Sequence, residues 1–407
     1  MRPLNPGEPI GPRGFRPSAR PGSGGVPNGP GASAAGSRLR RGRRALLRTA
    51  ALAGVVVLLA GAGLYAFTVP PRVPVGTADT GAGDCTVSAR TVPDRLAPPD
   101  EPQVAFSGDV PLRMSFSPDG SVLAVSQIDT VTLWDWQESR ALARIDHESS
   151  AVPPTPAAFS PDGCLLAYGS LHGAVVVDLA TGGRRTVGEE RAVRSATFTP
   201  DGSSLAVGVQ SDPDGRLLHL YDTGTWELED RLYGSATLGS IRYSLDGGVV
   251  AGGEDGGGVT VWNTGSSSPA GLVLDRAGVG ADAFDLLPDG SGVLLIRSGR
   301  VLLVDPGTGE VVREYVPESD GGVLVDVAYS AASGRVFAAR LDPADGAGDM
   351  VAWEYGAATE VALGPDLPSV FPMALSVDGS RVAGLRTGTG DIAVYNTDLS
   401  LLNVLTG

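Results

Sequence analysis

The sequence predicts an all-β fold built from seven similar units, and three observations support that prediction. A four-residue phrase that usually ends in Asp-Gly occurs seven times, and its glycines are 39 to 45 residues apart. Each phrase separates two short apolar segments, and a third apolar segment follows the second one. A repeat of this length is typical of one four-stranded blade of a β-propeller. We therefore predict a seven-bladed propeller.

The repeated phrase is a turn signal between the first two strands of each unit, here named a and b. Glycine accepts a positive φ, aspartate bonds to the turn backbone, and the proline found in four copies presets φ at the start of the turn. The copies occupy residues 117–120, 160–163, 199–202, 244–247, 287–290, 331–334 (degraded) and 376–379.

The third strand of each unit, c, is apolar almost throughout, which is typical of a sheet that is covered on both faces. The fourth strand, d, has a weaker pattern, as an outer strand that is half exposed to water should have. The predicted c strands are 131–135, 175–178, 218–222, 259–263, 301–305, 351–354 and 392–396. The predicted d strands are 141–145, 185–187, 227–232, 271–274, 310–315, 360–363 and 401–405.

Ser-Pro-Asp-Gly-x-x-Leu-Ala, followed by Leu-Trp-Asp at the end of strand c, resembles the WD40 family of propellers over residues 111–407. The family's Gly-His dipeptide before strand a is absent, and its strand-c tryptophan occurs only as Trp134, Trp262 and Trp353. We therefore do not expect the family's His–Ser–Trp–Asp network. The repeat therefore resembles a divergent bacterial WD40-like propeller. All 31 basic residues are arginine and the chain has 58 glycines, a composition that resembles actinobacterial proteins. A quinoprotein- or lactonase-type propeller is the alternative, and residues 305–309 resemble the quinoprotein type.

Charge divides the chain into two unlike parts. Residues 1–48 contain ten arginines and one acid, a net charge of +9, which leaves −24 on residues 49–407. The first 37 residues are rich in Pro, Gly and Ser and have few large apolar side chains, so we predict a disordered arm. The acidic composition of residues 49–407 disfavours nucleic-acid binding.

Residues 49–69 follow the arginine cluster and contain no charged side chain. As a helix this segment spans about 31 Å, the thickness of a bilayer core, so we predict a transmembrane helix. Arginines before the helix place the N-terminus in the cytoplasm and the propeller outside. The alternatives are a buried core helix and a cleaved twin-arginine export signal, since Arg43-Arg44 precedes the segment and Ala60-Gly-Ala62 resembles a cleavage site.

Residues 70–102 contain seven prolines and predict a semi-extended extracytoplasmic linker, which leaves 103–407 for the propeller. The chain has two cysteines, Cys85 and Cys164. Outside the cytoplasm a pair of thiols can form a disulfide. Cys164 follows an a–b turn, and we expect the chain that enters the propeller to bring Cys85 to the same end of the propeller as this turn. We therefore predict a Cys85–Cys164 bridge, with two free thiols as the alternative.

The hairpins between strands b and c vary most among the blades, and variable loops on a rigid scaffold commonly carry binding. We predict that their acids bind a cationic or metal-bridged partner: Asp212, Asp214, Glu254, Asp255, Asp342, Asp345 and Asp349. Arg242 and Asp285 occupy equivalent positions in strand a of blades 4 and 5, which predicts an ion pair in the central channel or a polar ligand site there. We predict no resident metal or cofactor.

The three histidines, His147, His172 and His219, are far apart in the sequence and accompany no nucleophile motif. We therefore predict a non-catalytic module that recognises an envelope or extracellular protein or ligand. A secreted or anchored enzyme of the lactonase or quinoprotein type is the alternative. A sensor that signals through the cytoplasmic arm is a third hypothesis.

The membrane anchor gives a direct test by cell fractionation with an N-terminal tag. We expect the tag and the propeller to remain together in the washed membrane fraction. Replacing Leu58 and Leu59 by Arg should release the protein, because each arginine at the centre of a span costs about 2.5–3.5 kcal/mol. Tag-free propeller in the culture medium would instead show a cleaved export signal.

Overall fold

The computed structural model describes residues 96, 112–146, 156–188, 191–265, 271–274, 283–318, 322–343, 348–361, 363, 370–386 and 389–405. All of them belong to the second of the chain's two units, Pro71–Gly407. None of these residues lies in a helix that is long and apolar enough to cross a bilayer. The predicted arm 1–48 and the predicted span 49–69 lie outside the described residues, so both stay predictions.

The described residues form seven antiparallel sheets, in each of which the strands follow one another in chain order. The first four blades comprise β1 (Arg113–Phe116), β2 (Val122–Ser126), β3 (Thr130–Asp135), β4 (Arg140–Asp146), β5 (Ala158–Phe159), β6 (Leu165–Ser170), β7 (Gly173–Asp178), β8 (Arg184–Val187), β9 (Val193–Phe198), β10 (Ser204–Val209), β11 (Arg216–Asp222), β12 (Leu228–Tyr233), β13 (Leu238–Tyr243), β14 (Val249–Glu254), β15 (Val259–Asn263) and β16 (Leu272–Leu274).

The last three blades comprise β17 (Phe284–Leu286), β18 (Val293–Arg297), β19 (Arg300–Val304), β20 (Val311–Tyr315), β21 (Val323–Ser330), β22 (Arg335–Leu341), β23 (Gly348–Glu354), β24 (Val370–Leu375), β25 (Arg381–Arg386), β26 (Ile392–Asn396) and β27 (Leu401–Leu405). The first strands of neighbouring blades contact one another in order, and β1 contacts β24, so the ring is closed. The predicted all-β, seven-bladed propeller is confirmed.

The apolar core lies between the blades. Seven clusters of buried side chains occur, and each combines residues of two neighbouring blades, including the pair formed by blades 7 and 1. Most positions of strands b and c are buried, which explains why these strands are apolar rather than alternating. Burying a Val or Leu side chain contributes about 1.5–3 kcal/mol, so the blade interfaces dominate the stability of the ring.

Side chains close the ring at the contact between blades 7 and 1. All four strands of blade 7 come from the C-terminal end of the chain, and no strand from before blade 1 joins that sheet among the described residues. Asn403 Nδ2 donates to the carbonyl oxygens of Trp136 and Gln137 at 2.6 and 2.9 Å. The Arg381 guanidinium lies 5.4 Å from the centre of the Trp136 ring. These contacts supplement the apolar cluster of this interface.

Two of the three strand-c tryptophans connect neighbouring blades. Trp262 Nε1 donates to the Tyr233 carbonyl at the end of β12, and Trp353 Nε1 donates to the Val316 carbonyl just after β20. In both cases the indole of one blade binds the end of the outer strand of the preceding blade. This contact does not require the histidine of the WD40 network.

Blade 6 departs from the predicted pattern because the described residues contain only three strands there. In place of the predicted strand d, 360–363, the structure has one bridge between Trp353 and Glu360. The Val361 N–H donates to the Ala352 carbonyl at 2.8 Å. The sequence that follows contains Pro365 and Pro368, which have no amide hydrogen to donate to a longer ladder.

The repeated phrase forms the same hydrogen-bonded turn in five blades. In blade 1, Ser117 Oγ donates to Asp119 Oδ1 at 2.6 Å and accepts from the Val122 N–H at 2.9 Å. Asp119 Oδ1 also accepts from the Ser121 N–H at 3.0 Å. The same three bonds recur at Ser160, Thr199, Ser244 and Ser376. The hydroxyl therefore connects the turn to the start of strand b.

These turns also carry charge that is stabilised in the folded state. The hydrogen bond from Thr199 lowers the pKa of Asp201 below its usual range, with help from the Ser203 N–H. The pKa values of Asp119, Asp246, Asp289 and Asp378 are also lowered. These carboxylates consequently remain charged at any pH near neutrality.

The glycine of the phrase has a positive φ of 65° to 74° in all seven blades. A Cβ added to Gly202 would lie 3.5 Å from Pro161 Cδ, and one added to Gly247 would lie 3.7 Å from Pro200 Cδ. Proline and glycine of the phrase therefore meet across these blade boundaries. The turns of neighbouring blades thus pack together at one end of the propeller.

The glycine turn can be tested with two alanine variants. We expect Gly202→Ala to lower the free energy of unfolding by about 1–2 kcal/mol, because alanine is strained at positive φ. The matched control is Gly256→Ala in a b–c hairpin, where φ is not in that range and an added Cβ meets no atom within 4 Å. Urea unfolding of both variants at neutral pH measures the difference. Equal losses would contradict the role assigned to the turn.

Candidate functional site

The antiparallel order of the strands assigns the loops to two ends of the propeller. The a–b and c–d turns lie at one end, which we call the a–b rim. The b–c hairpins and the d–a connections lie at the other end, which we call the b–c rim. Six of the seven predicted acids are described residues, and all six lie in b–c hairpins or at their ends.

Asp212 in the blade 3 hairpin is buried, with only 1% of its side chain exposed. Its Oδ2 lies 3.3 Å from Arg191 Nη1 and 3.2 Å from His219 Nε2, and its Oδ1 accepts from the Asp214 N–H at 2.8 Å. Burial works to raise the pKa of Asp212, but the Asp214 N–H, Arg191 and His219 together hold it below its usual range. Asp212 therefore holds the hairpin in place, whereas Asp214 is exposed.

The blade 4 hairpin has the same division between a buried and an exposed acid. Glu254 is fully buried, and its Oε1 accepts from Thr260 Oγ1 at 2.5 Å and from the Ser235 hydroxyl. Asp255 is 42% exposed, and its Oδ1 lies 3.6 Å from Arg194 Nη2 on the neighbouring blade. Glu254 thus joins the hairpin to the d–a connection, and Asp255 presents its carboxylate to solvent.

The blade 6 hairpin is only partly described. Asp349 forms a bidentate ion pair with Arg340, in which Arg340 Nε donates to Oδ1 at 2.7 Å and Nη2 donates to Oδ2. Asp342 is exposed, and Asp345 lies outside the described residues. Arg340 and Asp349 are opposite partners on β22 and β23, so this pair fixes the base of the hairpin.

In strand a, Arg242 of blade 4 reaches Asp285 of blade 5, with Nη1 and Oδ1 3.2 Å apart. The Asp285 carboxylate also accepts hydrogen bonds from the N–H of the next residue, Leu286, at 2.9 Å and from the Tyr329 N–H of blade 6 at 2.8 Å. Burial raises the pKa of Asp285, against the effect of Arg242 and of the two N–H donors. One carboxylate therefore connects three successive blades near the axis.

Asp326 is a second such residue, and the sequence reasoning missed it. Its carboxylate accepts from the Val327 N–H at 2.8 Å and from the Met373 N–H of blade 7 at 2.7 Å, and the residue is only 3% exposed. The sequence contains one signal that could have identified this residue, because an aspartate interrupts the apolar segment 323–327. Asp285 and Asp326 together extend the hydrogen-bonded connections from blade 4 to blade 7.

Two observations concern the chain before the propeller. Cys164 is disulfide-bonded, and the only other cysteine of the sequence is Cys85. Cys85 lies outside the described residues, so the Cys85–Cys164 pairing stays a prediction. Leu96, which belongs to the predicted linker 70–102, is buried in the cluster between blades 1 and 2. Leu96, the described residue of this linker, therefore belongs to the core.

The histidines occupy different environments. His172 is exposed in the blade 2 hairpin, and His219 is buried in β11. His147 lies outside the described residues. Within the described part of the chain, no three His, Cys, Asp or Glu side chains are grouped so that they could hold a metal ion.

Comparison with known proteins adds no family to this description. No protein-family model matches the sequence, and no curated protein matches it. The structure therefore supports the seven-bladed propeller, and the repeated turn phrase and the strand-c tryptophans support the WD40 resemblance.

The division between buried and exposed acids can be tested within one hairpin. We expect Asp212→Asn to lower the free energy of unfolding by about 1–3 kcal/mol, because Arg191 and His219 lose a buried charged partner. Asp214→Asn, two residues away, should change it by less than about 0.5 kcal/mol. Urea unfolding at neutral pH measures both variants.

The pH dependence of the same pair provides a check. The folded state holds the pKa of Asp212 below its usual range, so the contribution of Asp212 to stability is present above its unfolded-state pKa and is lost as the pH falls through its folded-state pKa. The difference between wild type and Asp212→Asn should therefore shrink in acid. A difference that is constant with pH would contradict this assignment.

Proposed function

We propose that the protein is a membrane-anchored recognition module, in which a WD40-like propeller presents its b–c rim to a protein or ligand outside the cytoplasm. In this proposal residues 49–69 are retained as a single transmembrane helix with the N-terminus in the cytoplasm. Residues 70–102 then connect the membrane to the propeller.

The construction of the b–c rim carries this proposal. Buried Asp212 and Glu254 hold two adjacent hairpins, and Thr237 Oγ1 donates across the blade boundary to the Gln210 carbonyl at 3.0 Å. A loop that is fixed in this way loses little conformational entropy when a partner binds. Recognition sites are typically built from such loops on a rigid scaffold.

The charge of the rim defines the expected partner. Asp214, Asp255 and Asp342 lie at the solvent-accessible part of the hairpins, and residues 49–407 carry a net charge of −24. A cationic or metal-bridged partner is attracted by this field, and the attraction weakens as salt rises. The same field disfavours nucleic acid as a partner.

Two buried acids support a non-catalytic role. Both oxygens of Asp212 and both oxygens of Asp285 accept hydrogen bonds or ion-pair contacts from the protein. Both carboxylates thus hold neighbouring elements of the propeller together, and this structural role accounts for their burial without a catalytic one. A lactonase- or quinoprotein-like enzyme is the alternative, and hydrolase activity or cofactor absorbance of the purified protein would support it.

The predicted bridge is consistent with this orientation. Cys164 follows an a–b turn, so a bond to Cys85 would hold the a–b rim near the chain that comes from the membrane. The b–c rim would then face outward, toward partners in the envelope or beyond it.

Affinity capture from envelope extracts with the full-length protein in detergent tests the proposal. The test variant replaces Asp214, Asp255 and Asp342 by Asn, and the matched control replaces the exposed Glu138, Glu227 and Glu310 of the a–b rim by Gln. Each variant removes three negative charges, but only the test variant removes them from the b–c rim. We therefore expect the test variant to lose the proteins or ligands that wild type captures, and the control variant to retain them. Higher salt should weaken capture by wild type.

The opposite pattern would contradict the proposal. Equal capture by wild type and the test variant, or loss with the control variant alone, would place recognition on another surface.

A further inference from the structure

We propose that the boundary between blades 2 and 3 contains a second binding site, which takes a small carboxylate anion. Three side chains of blade 3 define it: His219 and Tyr221 on β11 and Arg231 on β12. The site is separate from the exposed acids of the b–c rim, so it does not depend on the function proposed above.

The three side chains lie on one face of blade 3. His219 and Arg231 are directly opposed partners of the β11–β12 pair, and side chains at such positions are close neighbours. The rings of His219 and Tyr221 have centres 6.4 Å apart. A Cβ added to Gly188, which follows β8, would lie 2.8 Å from the Tyr221 hydroxyl oxygen. This face is therefore turned toward blade 2.

His219 has one buried ring nitrogen without a partner at this boundary. Its Nε2 lies 2.9 Å from the Arg216 carbonyl and 3.2 Å from Asp212 Oδ2. Both of these groups are acceptors, so the proton of the neutral ring is on Nε2. Nδ1 is buried without a hydrogen-bond partner, and the side chain is 1% exposed. Native proteins rarely leave a buried polar atom unpaired, so Nδ1 indicates a missing partner.

Arg231 supplies a positive charge to this face of blade 3. Its Nε is buried without a hydrogen-bond partner, and its guanidinium forms no ion pair with the described residues. Asp212, whose carboxylate contacts His219, already pairs with Arg191. Burial raises the pKa of Tyr221, while the charges of Arg231 and Arg191 act to lower it.

These groups match a carboxylate. The planar guanidinium donates two parallel hydrogen bonds to the two oxygens of such an anion, and the tyrosine hydroxyl is a further donor. The charge of Arg231 repels a cation, and the position between two blades limits the size of the ligand. A small carboxylate therefore satisfies the positive charge and the donors together.

Binding should take up a proton. The lone pair of neutral His219 Nδ1 repels an anionic oxygen, whereas the protonated ring donates a hydrogen bond to it. Burial, the larger cause, and Arg231 both lower the pKa of His219, while Asp212 on the adjoining hairpin raises it. The ring is thus neutral in the free site at neutral pH, and a bound anion raises its pKa. Affinity must therefore increase as the pH falls.

NMR of the full-length protein with ¹³C-labelled histidine tests this inference, because the chain has only three histidines. The probe is acetate, added in exchange for chloride at constant ionic strength, and acetamide is the neutral analogue. We expect a saturable shift of the His219 signal with acetate and none with acetamide. The His172 signal, from an exposed ring, should not change. Affinity should rise by up to about tenfold for each pH unit below neutrality.

Arg231→Gln should weaken acetate binding by at least about tenfold, since it removes the charge that holds the anion. The matched control is Arg144→Gln on the outer strand of blade 1, where the arginine pairs with Asp146 at 2.8 Å, and it should bind as wild type does. If Arg231→Gln does not fold, Tyr221→Phe replaces it and should weaken binding by removing one donor.

Several results would overturn the proposal. They are the absence of a saturable His219 shift, equal shifts with acetate and acetamide, an affinity that does not change with pH, or equal binding by wild type and both site variants. Each of them would mean that a buried water alone satisfies His219 Nδ1 and Arg231 Nε.

Discussion

The hydrogen-bonded a–b turn is the constraint on which the rest of the propeller depends. Its hydroxyl binds both the aspartate of the turn and the first N–H of strand b, so strands a and b of a blade start from one rigid connection. Its glycine permits the positive φ in all seven blades, and at Gly202 and Gly247 the proline of the preceding blade packs beside it. A single local motif therefore sets the geometry within a blade, and its repetition builds the ring.

The blades are held together by side chains from the axis to the circumference. Near the axis, Asp285 and Asp326 accept backbone N–H groups of the next blade. Further out, apolar clusters fill every boundary, and Trp262 and Trp353 bind the outer strand of the preceding blade. Since blade 7 takes all four of its strands from the C-terminal end, the closing boundary relies on the same kinds of contact as the others.

Burial gives similar acids different roles. Asp212 and Asp214 belong to one hairpin, yet the first is enclosed by Arg191 and His219 and the second is exposed. Desolvation and pairing make the buried acid a structural element, while the exposed acid contributes to the field that a partner meets. The same comparison separates Arg144, which has Asp146 as a partner, from Arg231, whose guanidinium forms no ion pair with the described residues.

The sequence by itself determined the number of blades, the order of their strands and the position of each a–b turn, because turn chemistry and apolar runs are local properties. It also placed the Arg242–Asp285 pair at equivalent positions of neighbouring blades. Only the tertiary structure decided that Glu254 is buried, that the described residues of blade 6 form three strands instead of four and that Asp326 connects blades 6 and 7. Burial and pairing depend on side chains of the next blade, some forty residues away in the chain, and no local pattern records which of them will meet.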